Sequence, residues 1–336
     1  MAQGTGIRVR WEPSPTSTDA SQLALFPTED RVVGRGEFRG LEFVHVQARS
    51  IINRRPPNTP MPFRHTINAY RGCSHACTYC FARPTHAYLD LDPSTDFDRV
   101  IVVKVNAVER LRAELAPKRW AGDPVAMGTN TDPYQRAEGK YHLTRGIVEV
   151  LAEHRNPFSI LTKSTLILRD RDLLADAARR TDVSLCFSVG TLDEDVWRLT
   201  EPGTPPPARR LDAVARLNEA GIRTNVLIGP ILPGLSDAPA QLDAVVRGAV
   251  DAGAASISSV LLHLRPGVRE HYLASLREHR PDLVADHERL YARGAYAPRA
   301  HRDRVSALVR DLEARHRRDH PTSTPVRIGP VQRPVT

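Results

Sequence analysis

The sequence predicts an α/β fold, a barrel of parallel β-strands with helices outside. Two observations lead there. Short apolar runs recur along the chain, and patterns of helical period fall between them. Strands that are apolar on both faces are buried under helices, and such strands pair in parallel. The length, 336 residues, suffices for one large core. Six or seven strand–helix units suit an open or closed β/α barrel, with a doubly wound open sheet as the alternative.

The elements follow in order. Residues 53–62 (NRRPPNTPMP) are Pro-rich and reach the first strand in non-helical form. That strand is 65–70 (HTINAY). The second, 100–105 (VIVVKV), is mostly β-branched, and a helix at 107–116 follows it. Strand 124–128 (PVAMG) leads to a helix at 144–155. Strand 158–162 (FSILT) precedes helix 170–179, and strand 183–189 (VSLCFSV) precedes helix 207–220. Strand 223–228 precedes helix 238–252, and strand 255–262 (ASISSVLL) ends the series. Gly221 and Gly253 stop the last two helices. Residues 12–22 read as a polar, flexible leader, and the last sixteen residues as a disordered tail.

Composition narrows the class. No apolar run reaches the roughly 18 residues of a membrane span, so no membrane is expected. The N-terminus lacks the apolar core of a signal peptide, and the expected location is cytoplasmic. A disulfide framework is disfavoured there, so clustered cysteines point to metal or redox chemistry. The net charge is +8, and only Lys104, Lys118, Lys140 and Lys163 among the 47 basic residues are lysines. That excess permits contact with nucleic-acid phosphates. A soluble, arginine-rich surface accounts for it equally well.

Three of the four cysteines fall within eight residues of the stretch YRGCSHACTYCF, 70–81. The spacing Cys73-x3-Cys77-x2-Cys80, directly after a strand, puts three thiols on one loop at the top of the first β unit. Three thiolates can hold three irons of a [4Fe–4S] cluster and leave the fourth open, whereas most clusters take four cysteines. The competitor is a zinc site completed by His75, His86 or Cys186, in a basic nucleic-acid-binding module without catalysis. Structural zinc usually shows two ligand pairs. The sequence holds no second pair, which favours the cluster.

YRGCSHACTYCFAR resembles the Cys-x3-Cys-x-aromatic-Cys motif of radical S-adenosylmethionine enzymes, with Tyr79 at the aromatic position. From about residue 60 to about residue 270 the chain is similar to the spore photoproduct lyase-like branch. The supporting stretches are GTNTDPYQRAE (128–138), LTKS (161–164), FSVGTLDEDVWRLTEPGTPP (187–206) and LIGPILPG (227–234). The resemblance implies a partial (β/α)6-type TIM barrel over 61–270. An N-terminal extension, 1–60, would be partly flexible, and 271–336 would form a helical extension and tail. It also implies a [4Fe–4S] cluster on Cys73, Cys77 and Cys80, whose fourth iron binds the amino and carboxylate groups of S-adenosylmethionine. One electron, from a reductant such as flavodoxin or ferredoxin, splits the cofactor into methionine and a 5′-deoxyadenosyl radical. The radical takes hydrogen from a substrate, for which nucleic acid is the class that the charge permits.

The resemblance assigns further contacts, each beside a plainer reading. Asp132, then Asn130, would receive the methionyl amino group; either also suits a surface turn. Lys163 and Ser188 would contact the carboxylate; a snorkelling strand-end lysine and a backbone-bonded hydroxyl are the alternatives. Gly229 and Ile231 would meet the adenine, in a Gly-x-Ile-x-x-Gly stretch one residue longer than the family's. Glu201-Pro202-Gly203-Thr204 reads as a structural turn, and Arg209 and Arg210 as solvent-facing. Cys186 shares a strand face with Ser188, which makes it a candidate hydrogen-atom donor, although an inert buried cysteine is commoner. Two departures count against photoproduct repair itself. The lyase's radical relay needs a cysteine where this chain has Gly128 or Thr129, and a tyrosine where it has Phe81.

Overall fold

A computed structural model of the chain describes residues 30–56, 63–117 and 120–319. The leader 12–22, residues 57–62 of the Pro-rich approach and the last sixteen residues lie outside them. Strands β1 (Asp30–Val33), β2 (Glu42–Val46), β3 (Ile52–Arg54), β4 (His65–Ile67), β5 (Tyr70–Arg71) and β6 (Val100–Lys104) come first. Then follow α1 (Ala107–Leu115), β7 (Val125–Met127), α2 (Glu138–Tyr141), α3 (Leu143–Glu153), β8 (Phe158–Thr162) and α4 (Arg171–Arg180). After these come β9 (Val183–Ser188), α5 (Glu194–Thr200), α6 (Pro207–Glu219), β10 (Thr224–Ile231), α7 (Pro239–Asp251) and β11 (Ile257–Leu261). Helices α8 (Val268–His279), α9 (Val284–Leu290) and α10 (Arg299–Asp319) end the described chain.

The larger sheet runs β11-β10-β9-β8-β7-β4-β3. Every pair from β4 to β11 is parallel, and β3 adds antiparallel at the β4 edge. Six parallel strands with helices outside make the partial barrel that the sequence predicts. Alternation explains the layering. Ile160, Leu185, Phe187, Val226 and Ile228 are fully buried toward the helices. They meet Ile147 and Leu151 of α3, Val214 and Leu217 of α6, and Leu242 and Val246 of α7 in one core. The other strand face is less covered and more polar. Ser184 and Asn225 lie there, joined by a 3.0 Å hydrogen bond from Asn225 Nδ2, and Cys186 pairs in register with Asn225.

Two sequence expectations change. The run 65–70 is not one strand: β4 ends at Ile67, and Tyr70–Arg71 crosses into a second sheet, β1-β2-β6-β5. The run 100–105 also joins that sheet rather than the barrel, parallel to β2 and antiparallel to β5. A β-branched run demands cover on both faces without specifying which sheet provides neighbours. Here Val100 and Val102 pack with Val44, Val46 and Leu89, while Ile101 and Val103 face the main core. This side sheet positions the cysteine loop. β5 runs straight into it, and Cys73 N donates to the Phe97 carbonyl at 2.9 Å.

Helix α10 packs against the barrel through Val309 and Leu312. His316 Nε2 reaches Asp243 of α7 at 2.9 Å, and Arg317 donates to the Ala254 carbonyl at 2.8 Å. No helix among the described residues is long and apolar enough to cross a membrane.

Candidate active site

The cysteine loop is held from three sides. Gln135 accepts from Ser74 N at 2.9 Å and donates to the Gly72 carbonyl at 2.8 Å. Arg83, buried, donates to the Cys77 carbonyl at 3.1 and 3.2 Å and grips the Asp98 carboxylate at 2.8 and 2.9 Å. The turn 201–204 closes the third side: Gly203 N donates to the His75 carbonyl and Thr78 N to the Thr200 carbonyl, both at 3.0 Å. A Cβ on Gly203 would lie 2.2 Å from the Ser74 carbonyl oxygen, so only glycine allows this approach.

Cys73 and Cys77 are buried and Cys80 partly so. Burial pushes the Cys73 thiol up to about 12; the charges of Asp132 and Cys80 add to that, and backbone N–H groups of Asp132 and His75 pull back. Burial also raises Cys77 and Cys80, with the Lys163 ammonium opposing in both. Each sulfur thus lies within electrostatic reach of another. Among the described residues, no three His, Cys, Asp or Glu side chains meet closely enough to enclose a single metal ion. Three soft thiols on one loop, beside N–H donors and a cation, fit an anionic iron–sulfur centre. Of the proposed zinc partners, His86 bonds the Val100 carbonyl at 3.0 Å through Nε2 and leaves Nδ1 without a partner among the described residues.

The C-terminal strand ends bring several predicted residues to this loop. The Lys163 ammonium stands 5.7 Å from the Tyr79 ring centroid. Burial opposes its charge, but Cys77, Glu201 and Asp132 outweigh it and leave the pKa raised. Tyr79 donates its hydroxyl to Glu201. Burial, then the Glu201 charge, holds Tyr79 firmly as the phenol.

Asp132 stands at this loop and is already hydrogen-bonded. Its Oδ1 accepts from Tyr134 N at 2.9 Å and from Thr162 Oγ1 at 2.7 Å; its Oδ2 accepts from Lys163 N at 2.7 Å and stands 3.4 Å from His75 Nδ1. The carboxylate ties three segments together. Asn130 is partly exposed and makes no hydrogen bond among the described residues. Ser188 donates to the Gly229 carbonyl at 2.5 Å. The Ile231 side chain is fully enclosed in the core, and its carbonyl accepts from Leu262 N at 3.0 Å. Cys186 lies lower on β9; burial pushes its thiol up to about 12, against the pull of Lys163. At Gly128, one of the two positions where the resemblance expects a cysteine, a Cβ would sit 1.9 Å from the Leu161 carbonyl oxygen.

Arg210 corrects a sequence expectation. It is not solvent-facing but has no exposure at all. It pairs with Glu201 at 2.5 Å and donates to the Ser188 carbonyl at 3.0 Å. Glu201 is likewise more than a turn residue, since it joins Arg210, Tyr79 and the field of Lys163. A signal for Arg210 existed. It shares helical spacing with Val214 and Leu217, the buried face of α6. Gln135 and Arg83 lie inside the stretches 128–138 and 70–83, but nothing local marked them as clamps of the loop.

Comparison with known proteins bears on the family and the fold. Residues 67–243 match the family model described as the Radical SAM superfamily. An uncharacterized protein of Mycobacterium tuberculosis is 43% identical over 307 residues, 90% of either chain. A solved mutant of spore photoproduct lyase superposes with a TM-score of 0.59 at 17% identity, covering 82% of this chain and 79% of the other. A second lyase mutant, with bound AdoMet and dinucleoside spore photoproduct, gives a TM-score of 0.55 at 18% identity, covering 81% and 77%. At such identities the likeness is one of fold.

Proposed function

Since the chain belongs to the radical S-adenosylmethionine superfamily and is an enzyme of it, we propose that Cys73, Cys77 and Cys80 hold a [4Fe–4S] cluster to which S-adenosylmethionine binds. When bound, this pair would supply radical hydrogen-abstraction chemistry toward a substrate, given one electron from a flavodoxin or ferredoxin. The chain's own residues bind and orient. Lys163 holds the methionyl carboxylate as a point charge, kept in place by Glu201 and by the Asp132 carboxylate on its backbone. Asn130, with its amide free, is the nearest match for the methionyl amino group. The end of β10 at Gly229 and Ile231 offers backbone to the adenine. Cys186 keeps its S–H on the interior strand face. The barrel wall excludes water from the reactive species.

One observation carries this reading: three thiols on a loop clamped against an ammonium at the C-terminal ends of parallel strands. Nucleic acid is the substrate class it favours, from the +8 charge and from the dinucleoside held by a protein of the same fold. Photodimer repair by the lyase's relay is not carried over, because neither Gly128 nor Thr129 carries a thiol and Phe81 has no O–H. Anaerobically purified protein is expected to be brown, to contain iron and sulfide, and to yield 5′-deoxyadenosine on reduction. Cys77→Ala is expected to lose both colour and cleavage; retention of both would end the reading.

A further inference from the structure

β11 leads out of the barrel to His263, where aromatic rings form a ladder on the surface. The Phe81 and His263 centroids are 6.0 Å apart, tilted by 33°. Those of His263 and Tyr296 are 5.5 Å apart, tilted by only 21°. Beyond them the Arg302 guanidinium lies 5.6 Å over the Tyr296 ring. A β-bridge between residues 263 and 296 fixes the middle rung, and Leu264 N donates to the Ala295 carbonyl at 2.7 Å. Phe81, the residue after Cys80, is 46% exposed and Tyr296 51%. Large aromatic side chains usually bury their faces, so an exposed, ordered stack asks for a partner.

The chemistry of the rungs selects that partner. Flat rings capped by a guanidinium stack on the π-faces of bases, whatever the base. Neither Arg265, exposed and within electrostatic reach of His263, nor Arg302 forms an ion pair among the described residues. Arg302 Nε is buried without a hydrogen-bond partner. The patch therefore adds positive charge to apolar faces in a chain of net charge +8. We propose that the Phe81–His263–Tyr296 ladder, capped by Arg302, seats an unpaired base of single-stranded nucleic acid beside the reactive centre. The placement rests on the reading of the three thiols as that centre. It also gives Phe81 a use that requires no hydroxyl.

The test is binding by the anaerobic protein without reductant or S-adenosylmethionine. The probes are an oligothymidylate carrying one 2-aminopurine and a matched oligouridylate, which separate DNA from RNA as the source of the base. Stacking quenches 2-aminopurine, so quenching with either polymer is expected. Phe81→Ala and Tyr296→Ala should each weaken binding by roughly tenfold or more, and Tyr296→Phe should retain it. Arg302→Gln should weaken binding and lower the salt dependence by about one counterion. Arg179→Gln, an exposed charge at the far end of α4, should change nothing. Absence of quenching, unaltered binding by the alanine variants, or equal loss in Tyr296→Phe and Tyr296→Ala would each overturn the seat. The two readings separate cleanly. Cofactor cleavage without quenching sinks the ladder alone. Quenching without cleavage sinks the reactive-centre reading, and with it the placement.

Discussion

Glu201 keeps its charge in a place that water hardly reaches. Burial alone would raise its pKa; Arg210, Lys163 and the hydrogen bonds from Tyr79 and Arg210 outweigh burial and hold it below the usual carboxylate range. A depressed carboxylate contributes stability that is complete above the unfolded pKa and is lost as pH falls through the folded one. Removing one partner of a buried pair leaves the other uncompensated. Glu201→Gln is therefore expected to cost about 3 kcal/mol in a denaturant melt at neutral pH. Adding Arg210→Met should recover part of that loss. The deficit of Glu201→Gln should also shrink in acid, as the parent's own carboxylate protonates. A deficit independent of pH would assign the effect to packing. At this scale the cysteines were legible because their spacing is itself the chemistry. Asp132 was legible as a turn residue, its Oδ1 accepting from Tyr134 N, but its contacts with His75, Thr162 and Lys163 were not, since they come from segments distant in sequence.

The turn after α5 and the loop after β5 act as one element, joined through Gly203. Gly203→Ala would drive a methyl group into the Ser74 carbonyl. That variant is expected to lose most of its iron on purification, with a lower melting temperature. Gly139→Ala is the matched control: its Cβ would meet only the Phe38 ring at 3.8 Å, within α2, where alanine is favoured by about 1 kcal/mol. Iron content equal in the two would show that the close approach does not matter to the centre. The helices at 107–116, 144–155, 170–179, 207–220 and 238–252 were legible to within a residue or two because their apolar period is continuous. β1, β2 and β3 were not, since short strands of mixed polarity gain their meaning from neighbours distant in sequence. Strand 100–105 was legible as a strand but not as a member of the side sheet, for the same reason.

Across the whole molecule, the C-terminal helices complete the barrel's outer layer. α10 buries Val309 and Leu312 and pins α7 through Asp243. A stop after residue 298 would expose that face of α7 and remove Arg302 from the ladder. The shortened protein is expected to melt at least about 5 °C lower, read by calorimetry. A melting temperature unchanged from the parent would show that α10 adds nothing to the fold.

Where β7 ends, the Leu161 carbonyl oxygen already occupies the space in which a side chain on residue 128 would start. Any side chain at residue 128 would need the main chain to move first. β8 would first have to retreat, and its next residue is Lys163, pinned by its backbone to Asp132. Position 128 is thus closed by main chain, an obstacle that drift in side chains alone does not remove.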